Sequence, residues 1–240
     1  VEKPRTRTQQ VGASFGLAPA ARASLPVDPA LDREPLAAAA FVLSSPRAGS
    51  TLLRSMLAGN PSLFSPPELH LLPFTDMTDR QQNLAESYFG EGLQRAVMEL
   101  KQLDAQQSAA LVEQWTSRQL PIADIYAWLQ NAANDRLLVD KSPTYAMDPA
   151  TLTRAEQMFS DARYVHLVRH PYAVVESFAR MRMDKLLGVE QVDPHYLAED
   201  IWTASNQNID NFFTTLPESR KLTVRYEDLM AEPEATLQRI

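Results

Sequence analysis

Two short stretches place side chains where they can grip an anion. The first is "SSPRAGSTLL", residues 44–53, which follows the apolar run "AFVL". A helix that starts directly after a strand presents unpaired backbone N–H groups, and these with the helix dipole attract negative charge. Gly49 lets the backbone approach such an anion closely, and Ser50 and Thr51 add hydroxyl donors. Arg47, Ala48, Gly49, Ser50, Thr51 and Leu52 therefore read as a phosphate cradle. The nucleotide-hydrolysing loop G-x-x-x-x-G-K-[ST] has a first glycine and a lysine before its hydroxyl. Both are missing here. Arg47 stands upstream of Ser50 instead, and arginine is a permanently charged fork that holds two oxyanion atoms at once. The second stretch is "VRHPYAVVES", with Arg169 at a strand end and Ser177 two turns into the next helix. A strand-end arginine and a helix hydroxyl at that separation can converge on one dianion.

These motifs resemble the sulfotransferases that use 3′-phosphoadenosine 5′-phosphosulfate (PAPS). "SSPRAGSTLL" is similar to their 5′-phosphosulfate loop, often "PRSGTTLL". Arg169 and Ser177 match the R-x-P-x-x-x-x-x-S pair that grips the 3′-phosphate. "LTVRYEDLMAEPEATL" matches the family's "RYEDL…P…L" segment, whose role looks largely structural. The resemblance covers residues 41–240. It implies PAPS as donor, 3′-phosphoadenosine 5′-phosphate as product, no required metal, and a central parallel sheet within an α/β three-layer sandwich that carries a P-loop-like strand-loop-helix.

Sulfuryl transfer needs a base for the acceptor hydroxyl and positive charge for the moving group and the leaving oxygen. "SPPELHLLPF" supplies Glu68 in a loop stiffened by two prolines. Its offset from Arg47 is similar to that of the catalytic glutamate of tyrosylprotein sulfotransferases. His70 is the alternative base, or the partner of Glu68. A base here is expected to be moved toward neutrality by burial. In "LLVDKSPTY", Lys141 just past a strand resembles the family lysine at the transferring group.

Other features are plainer. His166 and His170 do not share a helix face, which argues against a metal pair, and no G-x-S-x-G elbow is present. Trp202 can stack on an adenine, though a helix-core role is the stronger reading. Residues 181–199 can form a lid over the acceptor or an ordinary connector.

The elements that must position these groups alternate. Strands are expected at "AFVLSS", Leu63 to Ser65, "RLLVD", "ARYVHLVRH" and "KLTVRY". Helices are expected over Gly49–Ala58, with Leu52, Leu53, Met56 and Leu57 on one face, across residues 79–134 (Leu84, Tyr88, Val97, Leu100 and Leu103, then Ile122 to Leu129 after Pro121), after Asp148-Pro149, over "PYAVVESFARMR" and from His195 to Leu216. Strands separated by helices imply a parallel sheet covered on both faces. No internal repeat is visible.

The chain has 240 residues, 45% of them hydrophobic, which suits one sizeable folded core. The absence of cysteine excludes disulfides and thiolate catalysis and fits a reducing, cytoplasmic setting. A net charge of -7 argues against a nucleic-acid partner. No apolar run is long enough to span a membrane, and no export leader is visible. Residues 1–40, rich in Ala, Pro and Arg, read as a linker. Residues 41–240 read as a domain cut from a longer polypeptide, with a C-terminal part still to follow.

That excised look, with "LLVDKSPTYA", resembles the sulfotransferase domains embedded in bacterial modular polyketide synthases. The resemblance implies as substrate a 3-hydroxyacyl chain on an acyl carrier protein, with a neighbouring thioesterase domain and a terminal alkene as outcome. A stand-alone sulfotransferase for protein tyrosine or a small metabolite is the alternative. A non-catalytic or kinase-like nucleotide-binding module is the alternative of another class.

Overall fold

The edge of a five-stranded sheet decides where the loops of this chain meet. A computed structural model of the chain describes residues 34–84, 90–189 and 191–240. Most of the expected linker, Tyr88 of the helical stretch and residue 190 of the expected connector lie outside the described residues. The strands are β1 (Ala39–Leu43), β2 (Leu63–Phe64), β3 (Leu137–Asp140), β4 (Arg163–Val168) and β5 (Lys221–Arg225). They run parallel in the order β2-β3-β1-β4-β5. Each of the five expected strands is present.

The strands are short and apolar because both faces are covered. Side chains alternate along a strand. Phe41 and Leu43 join Leu138 and Tyr164 in the larger core, where Phe41 stacks on Tyr164 at 5.6 Å and meets the edge of Phe159 at 5.3 Å. Val42, Val139, Val165, Leu167 and Val224 fill the opposite face.

That second face packs α1 (Ser50–Leu57) through Leu53 and Leu57, and α10 (Tyr226–Ala231) and α11 (Pro233–Arg239) through Leu229 and Leu237. Leu52 departs from the expected apolar face. It is 36% exposed, because the buried stripe of α1 runs through Ser50, Leu53 and Leu57. The larger core is closed by α2 (Met77–Leu84), α3 (Glu91–Lys101), α4 (Ala105–Ser117), α5 (Ile122–Ala133), α6 (Pro149–Met158) and α9 (Pro194–Phe213). α7 (Pro171–Arg180) and the short α8 (Met183–Leu186) pack beside α9 in a third cluster around Phe178, Leu197 and Ile201.

The helical stretch from 79 to 134 is thus several helices. Two of its breaks fall at Gln102 and Gln119, both left-handed with φ 54°; Pro121 announces the second, and no glycine or proline announces the first. Asp104 restarts the chain with a reciprocal capping box to Gln107. Asp148 caps α6 as expected, accepting from the N–H groups of Ala150 and Thr151.

In register, Phe41 lies opposite Asp140 on one side and Tyr164 on the other. The loops after β1, β3 and β4 therefore leave the sheet at one edge. In open parallel sheets that edge, where connections diverge to either side, is where ligands bind.

Candidate active site

The cradle begins where β1 ends. Ser44, Ser45 and Pro46 are buried, and the chain turns through Arg47 (φ 67°) and Gly49 (φ 94°) before α1 starts. A left-handed arginine carries strain, which is typical of ligand-gripping loops. Gly49 is required twice over. Its φ is unfavourable for other residues, and a Cβ there would lie 2.3 Å from the Tyr226 ring. It supplies no side-chain cap to α1, which leaves the helix start to an external acceptor.

The second anion motif meets the first directly. Arg47 donates from Nε to Ser177 Oγ at 3.1 Å, and Arg169 donates from Nη1 to the Arg47 carbonyl at 3.2 Å. Ser177 is buried on α7, and the Arg169 guanidinium lies over the Tyr226 ring at 4.3 Å. Tyr226 of the "RYEDL" segment thus backs both Gly49 and Arg169, which gives that segment its structural role. Trp202 donates its indole N–H to the Arg169 carbonyl at 3.0 Å, so it steadies the strand end from α9.

Lys141, just past β3, is 1% exposed and contacts the Glu68 carboxylate. Its Nζ also lies 3.3 Å from Thr51 Oγ1 on α1. Burial lowers the lysine's proton affinity, and the Glu68 charge opposes that shift. Glu68 is less buried than expected, since 38% of its side chain remains exposed. His70 is 2% exposed, with φ 46°. Its N–H donates to Ser142 Oγ at 3.1 Å, and its Nδ1 lies 2.9 Å from Thr144 Oγ1. Burial first, then the charges of Arg80 and Lys141, push the imidazole down to about 3.

Three groups that the motifs did not single out hold the loop bearing Glu68 and His70. Arg80, 2% exposed, donates to the carbonyls of His70 (3.1 Å), Leu69 (3.0 Å) and Gly90 (3.2 Å). Burial lowers it to about 10, which still leaves it charged at neutral pH. Asp140, fully buried, accepts from Tyr126 (2.6 Å), Tyr145 (2.8 Å) and Ser142 (3.0 Å). Burial raises its proton affinity, and those hydrogen bonds counter the shift. Tyr145 in turn accepts from the Leu71 N–H at 2.9 Å, which ties β3 to the same loop. Gly92 on α3 lies so close that a Cβ would sit 1.9 Å from the Glu68 carbonyl oxygen. The sequence does carry faint signals. Arg80 occupies an apolar helical position between Met77 and Leu84, and Gly92 is a lone glycine in a helical run.

Arg47, Gly49, Ser50, Thr51, Glu68, His70 and Arg169 all line one cavity of about 210 Å³. Lys141 stands behind Glu68 and Ser177 beside Arg47. Ala48 is wholly buried beneath the loop, and the Leu52 N–H is bonded to the Gly49 carbonyl at 3.0 Å. Met183 brings the 181–199 segment into the cavity wall. His166 is buried in the core at 2.9 Å from Asn206 Oδ1 and His170 is exposed, so they do not meet. Arginine, lysine and a helix start around one carboxylate can bind a multiply charged anion and hold a proton acceptor beside it.

Comparison with known proteins agrees with this geometry. The sulfotransferase domain from the curacin biosynthetic pathway is 54% identical, with a TM-score of 0.82, over 86% of this chain and 73% of that one. The sulfotransferase domain from the Synechococcus PCC 7002 olefin synthase is 52% identical, with a TM-score of 0.83, over 90% and 75%. A sulfotransferase from Alicyclobacillus acidocaldarius, 14% identical with a TM-score of 0.53 over 86% and 79%, shares the fold. The nodulation protein NoeE of Sinorhizobium fredii is 30% identical over 148 residues. This chain spans about a third of that protein's length, 32%, and the match covers 61% of this chain. The sequence profile of the sulfotransferase family matches residues 39–240, and the chain belongs to that family.

Proposed function

We propose that this chain transfers a sulfuryl group from PAPS to the β-hydroxyl of an acyl chain held on an acyl carrier protein. The observation that carries the reading is Lys141, which joins the Glu68 carboxylate to Thr51 of the cradle at the cavity wall. The residues present fit the donor. A cradle with no side-chain cap and two arginines suit two phosphate groups. In this reading Arg47 and the Ser50/Thr51 backbone hold the 5′-phosphosulfate, and Arg169 with Ser177 holds the 3′-phosphate.

Glu68 takes the proton of the acceptor hydroxyl as its oxygen bonds to sulfur. The bond from sulfur to the bridging phosphate oxygen breaks, and 3′-phosphoadenosine 5′-phosphate leaves. Lys141 holds Glu68 in line and sets a positive charge beside the transferring group. His70, pushed down to about 3, is a weak proton acceptor at neutral pH and orients the loop instead.

The acceptor reading rests on identity above 50% to the curacin-pathway and olefin-synthase domains. Sulfate is a far better leaving group than hydroxide, so sulfation would prepare the chain for release by a thioesterase with loss of CO2 and sulfate, giving a terminal alkene. The cytoplasm is the proposed setting. Mass spectrometry of carrier-bound 3-hydroxyacyl chains after incubation with PAPS tests this. The expected result is a gain of one sulfuryl group, with tyrosine peptides unmodified. If peptides or free alcohols gain the group and the carrier-bound chain does not, the stand-alone alternative replaces it. Thermal stabilisation by ATP and not by PAPS would instead point to a kinase-like module.

A further inference from the structure

The cavity mouth is bordered by a cationic, apolar surface in an otherwise acidic chain. α7 ends at Arg180, Arg182 turns the backbone with φ 50°, and α8 carries Met183 into the cavity wall. On either side of Met183, Met181 and Leu186 are each 51% exposed. Four of the seven large apolar or aromatic side chains exposed among the described residues fall between Tyr172 and Tyr196, so exposure concentrates here. Arg180, Arg182 and Lys185 are exposed as well.

The one carboxylate between residues 180 and 186 is Asp184. It is 1% exposed and held by Arg182 at 2.7 and 3.1 Å. The outward charge of this segment is therefore positive, against -7 for the whole chain. Glu176, one turn before Arg180, Asp193 at the start of α9 and Glu199 in its second turn are exposed acidic neighbours on the flanking helices, and Asp200 beside Glu199 is half-buried. The platform is firm, because Leu187 is buried with Phe178, Leu197 and Ile201 beneath it.

We infer that the surface formed by Arg180, Met181, Lys185 and Leu186 docks an acidic helical carrier protein. The inference rests on the carrier-bound acceptor proposed above. Methionine and arginine are enriched at protein interfaces, and a local cationic patch on an acidic protein attracts an acidic partner to that spot while the remaining surface repels it. The position fits the task. Met183 belongs to the same short segment and to the cavity wall, so a flexible arm from a carrier docked here enters the cavity directly.

The test compares one 3-hydroxyacyl group on a purified carrier protein and on pantetheine, with PAPS as donor. In R180E/K185E, kcat/KM for the carrier-bound chain falls about tenfold or more, as for loss of electrostatic steering. Turnover of the pantetheine acceptor stays at the wild-type level, which also shows that the variant is folded. The uncharged variant M181S/L186S weakens only the carrier reaction as well. With PAPS saturating, added salt slows the wild-type carrier reaction more than the pantetheine reaction. Wild-type rates on both acceptors in both variants overturn the docking surface alone. Equal losses on both acceptors, in R180E/K185E and in the milder R180Q/K185Q, overturn it too. A change from dimer to monomer in M181S/L186S with carrier kinetics intact assigns the face to a second copy instead. If the wild type does not modify the carrier-bound chain at all, the proposed function falls, and the docking surface with it.

Discussion

Glu68 and His70 sit two residues apart, yet their surroundings separate their chemistry. Glu68 keeps 38% of its side chain exposed and is paired with Lys141, whereas His70 is enclosed near two cations. Glu68→Gln keeps the shape and removes the proton acceptor. Turnover should fall by about a hundredfold or more, with binding of 3′-phosphoadenosine 5′-phosphate unchanged in calorimetry. His70→Ala should cost less; if it alone abolishes turnover, the roles are reversed. His70 also marks stability. Its folded pKa is depressed to about 3 from 6.5, so the unfolded chain binds the extra proton between those values. Stability is therefore held above pH 6.5 and lost as pH falls toward 3, by up to about 1.4 kcal/mol per pH unit. Urea unfolding at pH 7.5 and 5 should show this slope in the wild type and a shallower one in His70→Asn. Arg169→Ala removes one charge-assisted contact, worth roughly 1.5–3 kcal/mol. Affinity for the donor product should drop about tenfold to a hundredfold, and unchanged affinity removes Arg169 from the site.

At the scale of elements, α3 and α2 work as supports for a loop that belongs to neither. α3 approaches the Glu68 backbone through Gly92, and α2 holds the same loop from inside through Arg80. An added Cβ at Gly92 meets a backbone carbonyl oxygen, which cannot rotate away as a side chain can. Gly92→Ala should lower stability by about 1–3 kcal/mol and reduce turnover by displacing Glu68, with donor-product affinity kept. Gly90→Ala is the control, since a Cβ there meets nothing within 4 Å. Equal melting temperatures and rates for the two variants would disprove the role of Gly92.

Over the whole molecule, the parallel sheet gathers charge at one edge. Arg47 follows β1, Lys141 follows β3 and Arg169 follows β4, so three cations from distant stretches gather at one cavity, Arg47 and Arg169 in its lining and Lys141 behind Glu68. With that charge supplied by side chains, turnover should persist in excess EDTA. Strict dependence on added Mg²⁺ would reject this account of how the transferring group is stabilised.

The five strands and the turn from β1 into α1 were legible in the sequence because each is local. A glycine after an apolar run, a proline at a helix start and a short alternating strand leave their marks within about ten residues. Glu68, His70 and Lys141 were named from their settings, but their relations were not legible. Lys141 meets Glu68 across 73 positions, and Arg47 meets Ser177 across 130. Only the sheet order puts those ends together, since β1 stands between β3 and β4. Arg80, Asp140 and Gly92 escaped for a related reason. Arg80 and Gly92 satisfy or admit backbone from other elements, and backbone partners carry no sequence signature. Asp140 is held by hydroxyls of Tyr126, Tyr145 and Ser142, whose convergence only the fold sets. Leu52 was placed on the buried face by its type and spacing; the actual stripe of α1 follows from how the helix packs on β1. The residue types fixed which chemistry was possible, and the packing of parallel strands fixed which groups share one cavity.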